Sequence, residues 1–254
     1  MNLLFRITNS LKIRYHALAF KFRYRIKRIL SKSYIGSLNF SKCEVITPIK
    51  WKYHDETWTH VENRWSNRNK IISGDYVDVT DEPQEMSTEI TFSNNDIIIE
   101  GGKPSSDKWI YLYVTEDEFK LTNYSLTTKL TFKSFFKEFQ VDFRYKDLYN
   151  RFRYRIQDGF LYFDIVYLGV FYASLSKVKL DLELGVEYSL EVVVKDDVYE
   201  CYIDNKLLST DHGCGFINKG GIAIILWEDD GKTTMNMCLN EIEITELKKV
   251  EEII

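Results

Sequence analysis

Asp142 and Arg144 stand two residues apart, as do Arg153 and Arg155, and both pairs fall where polar and apolar residues alternate. In a strand that spacing puts both members of a pair on one face. A guanidinium is a planar fork of N–H donors that matches a carboxylate or phosphate in bidentate fashion, which suits an acidic glycan or a phosphorylated sugar. Trp109, Tyr111 and Trp227 could supply ring faces for sugar stacking. The plainer alternative is that the arginines pair across strands with Glu138 and Asp142, and that Trp227 fills a core. The candidate ligand-binding set is therefore Asp142, Arg144, Arg153, Arg155, Trp109 and Trp227, with a carbohydrate or acidic glycan as partner.

Other chemistries are weakly represented. Cys43, Cys201, Cys214 and Cys238 show neither metal spacing nor a disulfide framework, and read as reduced thiols. Cys214 neighbours His212 in a loop, but a nucleophile needs that histidine oriented by a third group, which the sequence does not show. His16, His54, His60 and His212 form no ligand cluster. The carboxylates of Glu228-Asp229-Asp230-Gly231 have the right hardness for calcium, yet a turn of this composition is ordinarily just solvated. No catalytic residue, metal or cofactor is expected.

These side chains must be positioned by strands. In Glu138 to Tyr145, Phe139, Val141, Phe143 and Tyr145 take one face, and Glu138, Gln140, Asp142 and Arg144 the other. Arg151 to Ile156 opposes Phe152, Tyr154 and Ile156 to Arg151, Arg153 and Arg155, and ends near Asp158-Gly159, a tight-turn dipeptide. Phe160 to Val166 is almost wholly apolar, as in a strand covered on both sides. Tyr188 to Lys195 alternates again, Val198 to Ile203 joins Lys206 to Ser209 through Asp204-Asn205, Gly220-Gly221 opens Ile222 to Trp227, and Met235 to Thr245 closes the series. Aromatic residues make up 15% of the chain, and they favour pleated, half-buried surfaces.

The Gly185 to Tyr188 stretch, the strand Leu190 to Val194, the Tyr202 to Leu207 hairpin, the Gly221 strand and the closing Asn240 to Ile244 resemble the C-terminal half of concanavalin A-like, laminin G-like jelly rolls. Phe139 to Arg144 and Asn150 to Arg155 are similar to sheet strands of the sugar-hydrolase-related branches of that superfamily. The resemblance covers roughly Met86 to Leu247. It implies an all-β, antiparallel jelly-roll β-sandwich whose ligand lies across one sheet or at its rim. The family 16 glycosidase branch carries Glu-x-Asp-x-x-Glu on one strand; here Glu183, Glu187 and Glu191 stand four apart with no Asp between them, which argues against that hydrolysis. The expected function is non-catalytic, lectin-like carbohydrate binding, associated with cell-envelope polysaccharide metabolism at a membrane surface. The alternatives are a sugar-processing enzyme pairing Asp142 with Glu228 or Asp229, and a protein-interaction scaffold.

The first 43 residues differ in kind. They hold ten Lys and Arg and no acid, so they carry +10 and leave −14 to the rest of a chain with net charge −4. Leu4, Ile7, Leu11, Tyr15, Leu18, Phe22, Ile26 and Ile29 follow steps of three and four, the stripe of an amphipathic helix from about Leu3 to Leu30. Phe20 to Lys27 also alternates strictly and has a strand reading. Charges every few residues exclude a secretory signal peptide or a spanning helix. A basic amphipathic helix points to an anionic membrane surface, with Arg6, Lys12, Arg14, Lys21, Arg25 and Arg28 as contacts; packing on the acidic sandwich or a partner subunit is the alternative. No nucleic acid partner is expected, because no nucleic-acid module follows the tail. The implied organisation is a basic helix over 1–36, a lead-in over 37–85 that contributes outer strands or an irregular cover, and the sandwich over 86–254. The implied location is cytoplasmic, peripheral at the inner face of the membrane.

Overall fold

In the computed structural model the described residues are 40–46, 52–57, 88–93, 96–101, 108–114, 119, 121–168, 170–213, 215, 217–228, 234 and 236–250, together with Ala19, Phe22 and Ile26. Those three are helical. The rest of the helix expected over Leu3–Leu30, with Arg6, Lys12, Arg14, Lys21, Arg25 and Arg28, lies outside the described residues, as do Trp58, Trp65, His60, Cys214 and Asp229 to Gly231.

The described residues form fifteen strands: β1 (Phe40–Ile46), β2 (Lys52–Thr57), β3 (Thr88–Ser93), β4 (Asp96–Gly101), β5 (Lys108–Val114), β6 (Tyr124–Phe132), β7 (Glu138–Asp147), β8 (Asn150–Gln157), β9 (Phe160–Tyr167), β10 (Val170–Lys179), β11 (Glu187–Lys195), β12 (Val198–Ile203), β13 (Lys206–His212), β14 (Gly221–Glu228) and β15 (Met237–Lys249). An eight-stranded sheet runs β13-β12-β11-β6-β15-β4-β3, with β1 also paired to β15. A seven-stranded sheet runs β10-β9-β8-β7-β14-β5-β2. Every pairing is antiparallel. Strands β1 and β2, from the part of the chain least readable as sequence, join one sheet each.

Local chemistry sets the hairpins. Asp158 (φ 51°) with Gly159 (φ 75°), and Asp204 (φ 50°) with Asn205 (φ 62°), are consecutive positive-φ pairs. Type I′ turns require such pairs, and their twist matches that of the flanking strands. The period-2 pattern then assigns the faces. Phe139, Val141, Phe143, Phe152, Tyr154, Ile156, Leu161, Phe163, Ile165, Ile222, Ile224 and Leu226 of one sheet pack in a single buried core with Leu126, Leu130, Leu190, Val192, Val194, Tyr199, Cys201, Leu239 and Ile244 of the other. Tyr199 meets Phe143 edge-on at 4.7 Å between ring centroids, so much of the aromatic excess lies in the layer between the sheets. Where β10 approaches β13, buried Asp211 accepts hydrogen bonds from Ser209 (2.6 Å), Ser176 (3.1 Å) and Tyr154 (3.2 Å), tying the sheets together with its polar atoms satisfied. Cys201 and Cys238 are buried free thiols, and burial raises the Cys201 pKa well above the usual thiol value. Both fill space as small hydrophobes.

One face assignment is corrected. Phe143 pairs with Ile222 and Tyr145 with Gly221, so Arg144 is an extra residue in a β-bulge, with φ 53°. A bulge breaks the period of two. Tyr145 therefore leaves the core side and packs with Ala223, Ile225, Tyr113 and Leu148. Arg144 goes the other way, into the space between the sheets.

Candidate functional site: an arginine-bearing sheet face

Cross-strand register lays out the face of the seven-stranded sheet that points away from the core. Directly paired residues share a face, giving rows Trp227–Glu138–Gln157–Phe160, Ile225–Gln140–Arg155–Tyr162 and Ala223–Asp142–Arg153–Asp164 across β14, β7, β8 and β9. Arg151 sits one strand step further along β8. Three arginines and three carboxylates thus occupy one patch, with Lys177, the register partner of Tyr162, as a fourth cation at its β10 edge.

The guanidiniums are held by a shared acid. Asp164, fully buried, accepts from Nε of Arg153 at 3.0 Å and Nε of Arg155 at 2.7 Å through one oxygen, and from the backbone N–H of Ser174 at 2.6 Å through the other. Ser174 has φ 54° and lies where β10 loses register with β9, so Asp164 also satisfies the amide that the irregularity frees. Nη1 of Arg153 donates to Gln140 at 2.8 Å, and Nη1 of Arg155 donates to Glu138 at 3.4 Å and to Gln157. Arg153 lies over the Phe171 ring at 4.5 Å and Arg155 over the Tyr162 ring at 4.4 Å. Burial opposes the Arg155 charge, but the Asp164 hydrogen bond and the Asp164 and Glu138 charges outweigh it and raise its pKa above the ordinary guanidinium value. What remains is Nη2 on each arginine: neither has an acceptor among the described residues, and neither is among the sealed polar atoms.

The sequence-derived set divides accordingly. Asp142, Arg153 and Arg155 come together with register partners, and Trp227, half-buried, lies at the end of the patch opposite Glu138. Trp109 pairs with Trp227 on the neighbouring strand. Arg144 does not belong: it is 1% exposed and donates from Nη2 to the carbonyl of Asp196, in the β11–β12 turn of the opposite sheet, at 2.9 Å. Asp142 and Glu228, the proposed acid pair, are not close in register. Asp142 pairs with Ala223, five residues from Glu228 along β14, or roughly 16 Å at strand rise. Among the described residues no group of three or more His, Cys, Asp or Glu is placed to hold a metal ion.

The sequence placed Arg151, Glu138 and Gln140 on the polar face, with Glu138 as a cross-strand partner of the arginines, but not in the candidate ligand-binding set, and Asp164, Tyr162 and Phe171 carried no role in it. A usable signal existed for Asp164, the lone acid in an apolar strand, at even spacing from Phe160 and Tyr162. A carboxylate kept in such a run needs buried partners.

Asp142 is the carboxylate of this face that burial perturbs. It is fully buried, and Arg151 Nε approaches its Oδ2 at 2.9 Å without the N–H aligning into a hydrogen bond. Desolvation pushes its pKa up to about 6, against the pull of Arg151 and Arg153. Since the folded pKa lies above the unfolded one, ionisation opposes folding: the penalty is absent below about pH 4 and develops as pH rises through 6. Replacing Asp142 by Asn removes that term. Urea denaturation is therefore expected to show Asp142→Asn gaining on the wild type by on the order of 3 kcal/mol between about pH 4 and pH 7. A difference that does not change with pH contradicts this account.

No family model matches the chain, and no curated protein matches it. Among solved structures it is similar to the carbohydrate binding module CBM66 from Bacillus subtilis, at 15% identity and TM-score 0.48 over 63% of this chain and 92% of that one. A protein of unknown function with a galectin-like fold from Bacillus subtilis aligns at 6% identity and TM-score 0.48, over 84% of this chain and 100% of that one. The Emp47p carbohydrate recognition domain aligns at 12% identity and TM-score 0.45, over 68% and 91%. At such identities and scores the likeness is one of fold outline alone.

Proposed function

We propose that this chain binds carbohydrate on the arginine-bearing face, without acting on it. The observation that carries the reading is the pair of adjacent guanidiniums, each pinned through Nε and Nη1 and each with an unengaged Nη2, beside the half-buried rings of Tyr162, Phe171 and Phe160. A sugar needs fixed donors for its hydroxyls and an apolar ring face for its C–H surface, and pre-positioned side chains lose little entropy on binding. The charge balance refines the ligand class. Glu138, Asp142 and Asp164 offset Arg151, Arg153 and Arg155, and Lys177, whose ammonium lies over the Phe160 ring at 3.6 Å, leaves one net positive charge, so the patch has little charge with which to select an acidic glycan, and a neutral sugar is the better fit.

A glycan array probed with the full chain is expected to give signals on neutral glycans, and isothermal titration with the best hit is expected to show roughly tenfold weaker binding by Tyr162→Ala. Absence of any glycan signal, or full affinity in Tyr162→Ala and Arg155→Gln alike, defeats the proposal. Signals confined to sialylated or sulfated glycans overturn the neutral-sugar part of it.

A further inference from the structure

The most exposed large apolar side chain among the described residues is not on the sandwich. Phe22 is 67% exposed, and Ile26 is 41% exposed. Both are helical, as is Ala19, and the three stand at steps of three and four. At 3.6 residues per turn such positions share one face. Two large hydrophobes on one helix face, both open to water, make an apolar surface without a partner among the described residues.

The sequence extends that face and supplies its flanks. Leu4, Ile7, Leu11, Tyr15, Leu18 and Ile29 continue the same spacing on either side of Phe22 and Ile26. At roughly 100° per residue, Lys12 and Arg23 fall on one flank of the stripe, and Arg14, Lys21 and Arg25 on the other. Lys and Arg have long aliphatic stems, so cations at the border of an apolar stripe can keep their heads in a polar layer while the stripe enters hydrocarbon. The charge has one sign, with ten cations and no acid over residues 1–43. Cations every few residues leave no apolar stretch long enough to span a bilayer, and a helix of this composition lies in the interface plane.

Three occupants compete for such a surface. The chain's own sandwich attracts the cations, because residues 44–254 carry −14. Yet an apolar face gains by leaving water, and in the folded chain Phe22 and Ile26 have not left it. A nucleic acid likewise engages the cations alone. An anionic bilayer engages both groups: its phosphates take the cations, and the acyl boundary takes the apolar side chains.

We propose that the segment around Phe22 and Ile26 docks the protein on an anionic lipid surface, with these two side chains in the acyl boundary and the flanking lysines and arginines at the headgroups. The segment enters the fold at β1, which pairs with β15 of the eight-stranded sheet, and Lys42 of that strand is ion-paired with Glu191 of the same sheet at 3.5 Å. The arginine-bearing face belongs to the other sheet, so this docking neither uses that face nor rests on the sugar reading.

The test is flotation of the full chain with vesicles of phosphatidylcholine alone and with about one-third phosphatidylglycerol, neither lipid carrying a sugar. Binding to the anionic vesicles is expected to be at least about tenfold tighter, and to weaken as salt rises from about 0.1 M to about 0.5 M. Phe22→Ser combined with Ile26→Ser is expected to lose about tenfold in affinity for anionic vesicles and to unfold at the wild-type temperature, since both side chains are already in water. Lys21→Glu combined with Arg25→Glu should lose most of the preference for anionic over neutral vesicles. Failure of the wild type to float with anionic vesicles, equal recovery with both vesicle types, or undiminished binding by the serine variant overturns the proposal. Release of the bound chain by duplex DNA at matched charge overturns it too, and makes a nucleic acid the partner.

Discussion

Asp164→Ala is expected to lower stability by about 3–5 kcal/mol, more than removal of any other acid on the arginine-bearing face. The reason is the number of groups that depend on it. One oxygen takes the Nε donors of two arginines and the other takes the Ser174 amide, all within a patch where each arginine side chain retains 8% exposure. Removing the carboxylate leaves two nearly buried cations side by side, and their mutual repulsion adds to the lost hydrogen bonds. Asp164→Asn, which keeps an acceptor and loses the charge, should fall between alanine and the wild type. Urea denaturation with a shared slope gives the comparison, and thermal unfolding should show a fall on the order of 10 °C for alanine. A loss of less than about 1 kcal/mol for Asp164→Ala would place these pairs with ordinary surface ion pairs. It would also remove the rigidity on which the sugar reading depends.

The second large effect is expected at Gly220. A methyl group there meets the Arg144 carbonyl carbon at 2.4 Å, its oxygen at 2.5 Å and the Tyr145 nitrogen at 2.8 Å, all backbone atoms of an adjoining strand. A flexible side-chain tip could swing away, whereas a strand in the middle of a sheet must shift as a unit. Gly220→Ala should therefore cost about 3 kcal/mol, combining overpacking with an unfavourable φ. Gly185 supplies the control. Its φ is 76° but nothing lies within 4 Å of the added methyl, so Gly185→Ala should lose only about 1 kcal/mol, the conformational part alone. Equal losses at the two sites, measured by urea denaturation, would mean that the Gly220 contact relaxes easily and that the β7 bulge is not held from that side.

Where the chain alternates without interruption, its structure was legible. Phe139, Val141 and Phe143, and then Phe152, Tyr154 and Ile156, were read as inward-facing and are in the core, because a strand has only two faces and the apolar one must leave water. Asp158-Gly159 and Asp204-Asn205 were legible as turns, since few residue pairs tolerate positive φ in succession. The arginine row Arg153–Arg155 was legible for the same reason as its apolar counterpart. Tyr145 and Arg144 were not, because a bulge is a register mismatch between two strands, and one strand read alone carries no record of its partner.

By itself, then, the sequence determined that the chain builds antiparallel strands and that one strand face concentrates arginine, since side-chain periodicity and turn propensity act over a few residues. Tertiary structure decided which charges meet. Asp164 reaches Arg153 and Arg155 only because β9 pairs with β8 in one register, and Asp142 is stressed only because its own carboxylate is shut off from water. It decided too that Arg144 leaves the arginine-bearing face and enters the space between the sheets, where pairing, burial and the approach of Gly220 act together across distant parts of the chain. Electrostatic energies depend on neighbours and on exclusion of water, and only the folded chain supplies either.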